Sequence, residues 1–364
     1  MLLIEPLFDG PVDIVGDIHG EIDALEDLLD HLGYDPDGRH DDGRRLAFVG
    51  DLTDRGPNSP AVLRKVMRLV EAGRAQCIIG NHELNLLRGE LKDGNDWWIA
   101  PQDPIPGNSM QPVTPEDKPR LTEFLKSLPL ALERQDLRVV HACWNEAAFT
   151  LLRDTAPANA TLLETYDSSV AKLQKRWSNP VLAARIKREW YEFAPLHKDP
   201  VSQPPLQPTI AQMDREFQMS NPISVLTSGE ETETRTPFWA GGKWRMVERV
   251  RWWERYDDPV PVIIGHYWRR YNDARAVYRD KYGPDLFADI EMHNCMGPRH
   301  NVYCVDFSVG GRYAQRAADE PFHMCRLAAV RVPEWQVMFD HGESLNIEGT
   351  FDAIAGGAVR KNGN

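Results

Sequence analysis

Short apolar runs that end in glycine, each followed by a stretch of helical spacing, open the chain. Val12 to Val15 ends in Gly16 and predicts a buried strand. From Glu21 to Leu32, apolar residues Ile22, Leu25, Leu28, Leu29 and Leu32 recur at helical spacing, and Gly33 closes the helix. Leu46 to Val49 repeats the strand pattern before Gly50, and Pro60 to Ala72 repeats the helical one, with Val62, Val66, Leu69 and Val70 inward and Gly73 as its stop. Cys77 to Ile79 is a third strand, followed by Gly80 and a helical segment at Leu84 to Leu87. Strand, helix, strand, helix, strand predicts parallel strands in an α/β layered fold.

Further along, Asp93 to Pro119 is rich in Pro, Gly, Asn and Asp and reads as an irregular connection. Leu121 to Leu128 is helical in pattern, and Leu137 to Val140 is a fourth strand ending in His141. Val260 to Ile264 is a fifth, ending in Gly265-His266; Val302 to Val305, Met324 to Val332 and Gln336 to Phe339 are later strands. Between Asn145 and Pro259 the pattern is least regular. It holds a helical region over Ala171 to Glu192, prolines at 200, 204, 205 and 208, and a Thr/Glu run from Thr227 to Thr236 in which Glu230 to Glu233 reads as a solvated loop. No internal repeat or low-complexity tract is present. The chain is expected to be one domain over 1–364, with 145–259 as an insert that sets specificity.

The first three strands lead into Gly16-Asp17-Ile18-His19-Gly20, Gly50-Asp51-Leu52-Thr53-Asp54-Arg55-Gly56 and Gly80-Asn81-His82-Glu83. Ligands in α/β sheets bind beyond the carboxyl ends of strands, so these loops are expected to converge on one edge. Asp17, His19, Asp51, Asn81, His141 and His266 then supply two Asp, three His and one Asn. Six such side chains are too many for one tetrahedral ion and suit two ions that share a carboxylate. Mixed imidazole and carboxylate donors favour Mn, Fe or Zn over Ca or Mg. A pair of ions about 3.5–4 Å apart clamps a phosphoryl group and generates a hydroxide nucleophile near neutral pH. Glycines 16, 20, 50, 56 and 80 allow positive φ and close backbone approach, and Arg55 offers a planar fork to phosphate. Each motif alone has a bland explanation. Asp-x-His is common by chance, Asn81 suits a helix cap, and Asp54-Arg55 suits a surface ion pair. Three of them in this order, each after a buried strand, point to a site.

The three segments resemble the signature GDxHG…GDxxDRG…GNHE of the calcineurin-like metallophosphoesterases, and more narrowly the phosphoprotein phosphatase branch, which includes bacterial Ser/Thr phosphatases and symmetrical diadenosine-tetraphosphate hydrolases. The extension Gly56-Pro57-Asn58-Ser59-Pro60 is similar to the bacterial members. The likeness covers residues 12 to about 90, with patches at His141, His266 and roughly 301 to 333. It implies a β-sandwich of two sheets flanked by helices. It implies that Asp17 and His19 bind one metal, that Asp51 bridges both, and that Asn81, His141 and His266 bind the second. Arg55 is implied to hold the substrate phosphate. His82 is implied to be the general acid, oriented by Asp54; a carboxylate beside an imidazole favours its charged form and fixes its tautomer. The activity implied is a dimetal phosphohydrolase acting on an ester or anhydride through a metal-bridging hydroxide, with two divalent ions as cofactors, manganese first and iron or zinc next. The family usually has His-Gly-Gly at the fourth loop and Gly-His-Thr at the fifth; this chain has His141-Ala142-Cys143-Trp144 and Gly265-His266-Tyr267-Trp268.

In the insert, Trp239, Trp244, Trp252 and Trp253 interleave with Lys243, Arg245, Arg249, Arg251 and Arg255. This reads either as a wall that grips phosphate and stacks bases or as a Trp-rich strand pair with a solvated Arg face, and the spacing favours the pair. The resemblance implies that a second Arg from this interval reaches the phosphate, with Arg251 and Arg249 as candidates. Asp306 is read as structural. A small phosphorylated molecule is placed ahead of a phosphoprotein, with Ser/Thr phosphoprotein phosphatase as the alternative. A non-catalytic scaffold would require loss of ligands that this chain retains.

Composition narrows the partners. The net charge of −13 argues against charge-driven binding to nucleic-acid polymers or anionic membranes, although bound dications can reverse the local field. The five cysteines form no CxxC pair and read as free thiols in a reducing compartment. The N-terminus has no basic, apolar leader and no run approaches the roughly 20 apolar residues of a span, so a cytoplasmic location is expected. His293, Cys295, His300 and Cys304 do not match a structural zinc spacing. His31, His40, His197, His323 and His341 are expected to have no catalytic part.

Overall fold

The computed structural model describes residues 3–92, 94–100, 110–156, 160–240, 242–271, 285–319 and 324–351. The chain begins with β1 (Ile4–Pro6), β2 (Val12–Val15), α1 (Ile22–Leu32), β3 (Arg45–Phe48), α2 (Ser59–Glu71), β4 (Ala75–Cys77) and α3 (Asn81–Leu87). The glycine-punctuated pattern therefore predicts all of these except β1, to within two residues at most boundaries. α1 buries Ala24, Leu25, Leu28, Leu29 and Leu32, and Gly33 ends it in the left-handed region at φ 88°, with its N–H on the Asp30 and Leu29 carbonyls. Asn58 caps α2 by accepting from the Ala61 amide at 3.1 Å.

Next come α4 (Asp96–Ile99), α5 (Asp117–Ser127), β5 (Ala131–Arg134) and β6 (Leu137–Val140). The insert contributes α6 (Glu146–Thr155), α7 (Leu162–Trp177), α8 (Pro180–Glu192), α9 (Pro208–Met219), α10 (Pro222–Ser228) and a hairpin of β7 (Glu231–Ala240) and β8 (Lys243–Arg249). The chain ends through β9 (Val262–Ile264), β10 (Val302–Cys304), α11 (Arg312–Ala317), β11 (Ala328–Val332), β12 (Gln336–Phe339) and β13 (Ser344–Asn346). His323 lies outside the described residues. Among the described residues, no helix is long and apolar enough to cross a membrane.

Two sheets form the centre. One has the order β13-β12-β11-β2-β3-β4, with β2, β3 and β4 parallel; the other has the order β1-β5-β6-β9-β10. Their facing sides meet in one apolar layer. Val12, Ile14, Ala47, Val49 and Ile78 come from the first sheet, and Leu132, Leu137, Val139, Ile263, Tyr303 and Val305 from the second. The alternate residues Val15, Leu46, Phe48, Val140, Val262, Ile264 and Cys304 point outward into a second core beneath the helices. Burial on both faces explains the nearly continuous apolar runs in the sequence.

Two expectations change in the insert. The helical region over 171–192 is two helices broken at Ser178-Asn179-Pro180, where Asn179 accepts from the Val181 amide at 3.0 Å and starts α8. Glu230 to Glu233 is not a solvated loop. Glu230 accepts from Asn145 Nδ2 at 2.9 Å and pairs with Arg255, and Glu231 opens β7 opposite Arg249. Arg255 and Asn145 hold Glu230 in the fold, and strand pairing holds Glu231. The Trp-rich strand pair is the β7–β8 hairpin, but it stops at Arg249; Trp252 and Trp253 sit in a short 3-10 turn, 3% and 1% exposed.

The least expected feature of the central strand is Asp13, fully buried in β2. Its carboxylate takes Tyr34 Oη at 2.8 Å, Arg44 Nη2 at 2.9 Å and Arg331 Nε at 3.0 Å. Removing one member of such a network leaves a buried charge without its counterion, so Asp13→Ala is expected to cost about 3–5 kcal/mol of unfolding free energy, read by urea denaturation. A loss below about 1 kcal/mol would show that Arg44 and Arg331 find other partners.

Candidate metal centre

Five strand ends supply the expected ligands. Asp17 and His19 follow β2, Asp51 follows β3, and Asn81 opens α3 after β4; His141 follows β6 and His266 follows β9. The first three segments belong to one sheet and the last two to the other, so the cluster sits on the rim where the sandwich closes. The loops are stitched together by their backbones. Ile18 N and His19 N both donate to Asp51 O at 2.9 Å, and Gly265 N donates to His141 O at 2.9 Å.

Two groups of side chains lie close enough to share ions. One is His19, Asp51 and His82; the other is Asp51, His141 and His266. Asp51 belongs to both. His19 Nε2 lies 3.9 Å from Asp51 Oδ2 and 4.0 Å from Asp17 Oδ2, and His141 Nε2 lies 3.3 Å from Asp51 Oδ1. Backbone carbonyls hold the other ring nitrogens: Thr53 O is 3.0 Å from His19 Nδ1 and Val49 O is 2.7 Å from His141 Nδ1. A proton fixed on Nδ1 leaves Nε2 as an inward lone pair, the usual preparation of a metal-binding imidazole.

Asn81 tests whether these residues fit a metal. Its side-chain oxygen lies 3.3 Å from His141 Nε2 and 2.8 Å from His266 Nδ1, acceptor against acceptor. Turned over, the amide nitrogen would donate to both rings, so this side chain can offer the space between them either a donor or an oxygen ligand. His266 Nε2 is also buried without a partner. A set of carboxylate, imidazole and amide donors sharing one carboxylate fits two divalent ions.

The electrostatics describe a cluster of charges taken out of water. Burial raises the Asp17 carboxyl well above the usual range, helped by Asp306 nearby. Burial depresses His19 and His266, aided by Arg55 and Arg249 respectively. His141 moves the other way. Burial opposes its charge, but the adjoining Asp51 carboxylate outweighs burial and lifts it to about 10.

A second layer surrounds the ligands. His82 Nδ1 lies 2.6 Å from Asp54 Oδ2, and Arg55 reaches His19 Nε2 at 2.8 Å and His82 Nε2 at 3.2 Å. The Trp268 indole, one of the bulky residues after His266, lies 4.5 Å from the Arg55 guanidinium carbon in a cation–π contact. Trp144, after His141, instead packs into the core against Phe149. Asp306 accepts from the Trp268 and Ser308 amides at 2.7 and 2.8 Å, which anchors two loops. Of the two arginines expected at the phosphate, only Arg249 comes to the cluster, where Nη1 donates to His266 O at 3.4 Å. Arg251 turns away to Asp289, at 2.6 and 3.1 Å. The chain leaves β8 after Arg249, so Arg251 does not continue the strand face that Arg249 occupies.

Two residues of the site went unassigned in the sequence. Trp97, on α4, donates from Nε1 to Asp54 Oδ1 at 2.8 Å. It lies within the irregular connection, where no periodicity marks it. Glu83 accepts from Gly80 N (3.0 Å), Asp51 N (2.8 Å), Leu52 N (2.8 Å) and Thr53 Oγ1 (3.1 Å), fastening the second loop to the third. Its position three residues after Gly80, at the start of α3, was the available signal. Burial and the Asp51 charge raise its carboxyl to about 7.

The backbone here is strained. His19, Asp51, Asp54, Arg55 and His266 have φ of 48, 48, 74, 70 and 69°, a left-handed region that costs non-glycine residues energy. Gly20 and Gly50 share it. Gly80 serves close approach instead: a Cβ there would collide with Asp51 Oδ1.

A family profile described as calcineurin-like phosphoesterase matches residues 10–289. The bis(5'-nucleosyl)-tetraphosphatase PrpE, asymmetrical, of Halalkalibacterium halodurans is 51% identical over 79 residues, which is 21% of this chain and 32% of that protein. The protein of the same description from Bacillus velezensis is 37% identical over 139 residues, 36% of this chain and 55% of that one. The matched segments thus span between 32% and 55% of these relatives' lengths. A cold-active protein-tyrosine phosphatase from a Shewanella species is similar over 96% of this chain and 83% of its own, with 14% identity and a TM-score of 0.45.

Trp97→Phe keeps an aromatic ring in place and removes one donor from a buried carboxylate. It is expected to lower kcat about tenfold with metal content unchanged, measured by turnover and elemental analysis of the same preparation. Full retention of kcat would show that Asp54 orients His82 without the indole.

Proposed function

This chain belongs to the calcineurin-like phosphoesterase family, and from that membership we propose that it is a dimetal phosphohydrolase cleaving a phosphate ester or phosphoanhydride. The observation that carries this reading is the Asp51 carboxylate shared by two groups of ligands, with His82 and Arg55 beside it. Asp17, His19 and Asp51 would hold one ion, and Asp51, Asn81, His141 and His266 the other. Two divalent ions so held make water nucleophilic near neutral pH and screen the phosphoryl charge. Manganese is placed first, with iron or zinc as alternatives, because the donors mix imidazole with oxygen.

The chain's own groups do the rest. The Arg55 fork faces the cluster, placed to take two phosphate oxygens when substrate displaces its contacts with His19 and His82. The 2.6 Å contact of His82 Nδ1 with Asp54 leaves Nε2 to carry the proton to the leaving oxygen. Trp97 fixes the other Asp54 oxygen, so imidazole and carboxylate share one orientation. Arg249 at His266 O is the second phosphate contact we favour; Arg251 is not proposed for that role.

The substrate is placed as a small phosphorylated molecule rather than a phosphoprotein. The short curated matches carry dinucleoside tetraphosphatase descriptions, and residues 145–259 bring Arg249 to the site as a specificity insert within one domain over 1–364. Neither a nucleic-acid polymer nor a membrane is proposed as partner. Five unpaired thiols support a cytoplasmic location.

Manganese-loaded protein is expected to hydrolyse p-nitrophenyl phosphate. Asp51→Asn should lower both metal content and turnover, the latter by more than about a hundredfold, beyond the effect of losing an outer partner. An inert, fully loaded wild type would sink the assignment. His82→Ala is expected to slow alkyl phosphates about a hundredfold or more and p-nitrophenyl phosphate far less, since only the poor leaving group needs the proton. Equal losses on both would remove His82 from the acid role.

A further inference from the structure

Lys243, Arg245 and Arg249 share one face of β8, with the buried Val247 taking the alternate position between Arg245 and Arg249. The irregularity in the hairpin falls on β7, between Glu233 and Phe238, so β8 itself stays regular. At about 3.4 Å per residue, the row advances about 7 Å at each alternate position and about 20 Å from Arg249 to Lys243.

Its near end is the metal centre, where Arg249 donates to His266 O at 3.4 Å. Its far end lies within electrostatic reach of Lys92. Lys92 belongs to the segment after α3 that also offers Gly94 O to Arg55 N at 3.1 Å. The row therefore borders the gap between the hairpin and the loop that carries Arg55.

These cations are poorly neutralised. The next arginines along the chain are paired, Arg251 with Asp289 and Arg255 with Glu230. Among the described residues, Lys243, Arg245 and Arg249 have no such ion pair. The acids that face them are Glu231, opposite Arg249 in the hairpin, and Asp214 from α9. Desolvation depresses both Lys243 and Arg245; repulsion from Arg245 adds to it at Lys243, whereas the Glu231 carboxylate works against it at Arg245. A fold of net charge −13 thus holds a row of like charges together at a cost to its own stability. The cost is understandable if a polyanion lies along the row.

We propose that Lys243 and Arg245, continuing from Arg249, form a subsite that reads the length of an oligophosphate chain whose reacting phosphoryl group lies at the metal centre. This rests on the phosphohydrolase reading above. A phosphomonoester has no charge to place beyond Arg249. A chain of three or more phosphates does, and it extends from Arg249 toward Arg245 and Lys243.

The test compares inorganic tripolyphosphate with p-nitrophenyl phosphate, with manganese in excess, for wild type and the double variant K243A/R245A. The ratio of kcat/KM for tripolyphosphate to that for the aryl ester is expected to fall about tenfold, through KM, the scale of one charge-assisted contact. K243R should retain the wild-type ratio. Added salt should raise the wild-type KM for tripolyphosphate more steeply than that of the double variant. A ratio within about twofold of wild type overturns the proposal, as does a double variant that discriminates against an acidic phosphopeptide but not tripolyphosphate. If wild type turns over neither substrate, the phosphohydrolase reading falls and direct binding decides the subsite. Tripolyphosphate binding about tenfold weaker in the double variant supports it, and equal binding overturns it.

Discussion

The position of one carboxylate, Asp51, governs the site. Its oxygens approach His141 Nε2 at 3.3 Å and His19 Nε2 at 3.9 Å, so one side chain joins both groups of ligands. Its backbone is held from both sides. The carbonyl receives the Ile18 and His19 amides, and the amide donates to Glu83 at 2.8 Å. It also sits at φ 48°, which only surrounding contacts sustain. The glycine at position 80 is part of the same arrangement, because a methyl group there would occupy the space of the carboxylate. Asp51 is thus fixed by three separate loops, and those loops are fixed by the strands behind them.

The parts of the fold legible in the sequence were those with local signals. Apolar runs closed by glycine marked β2, β3 and β4, since strands buried on both faces need no polar alternation. β1 was not visible. It has three residues, and its parallel partner β5 lies more than a hundred positions away, with Ile4 opposite Ala131. The candidate ligands are legible because each sits at a strand end. Trp97 is not, because its value lies in one bond to Asp54, 43 residues back in the chain. The resemblance offers Arg249 and Arg251 alike, and nothing in the sequence marks that the strand ends between them. Glu230 was misjudged because acidity in a sequence says nothing about where Arg255 and Asn145 will be.

The insert is tied closely to this centre. α10 is buried along most of its length, and Leu226 O receives the Ala142 amide at 3.0 Å, next to His141. Trp252 Nε1 reaches Ala142 O at 3.0 Å from the other side. The segment that departs most from the regular pattern therefore helps to seat His141 at its base, and its hairpin carries Arg249 to His266. The residues after His141 are bulky because they are packing partners of the insert rather than walls of the cleft.

The division of ligands between two sheets couples assembly to occupancy. Asp17, His19, Asp51 and Asn81 arrive on the first sheet, His141 and His266 on the second, and neither sheet alone holds a complete pair of sites. An ion that needs donors from both binds the closed sandwich and not its separated halves. By mass action it then stabilises that closure in proportion to the logarithm of its free concentration over its dissociation constant. An ion held by Asp51, Asn81, His141 and His266 would in this sense be a clasp on the sandwich, and resistance to unfolding would then depend on the surrounding medium as much as on the chain.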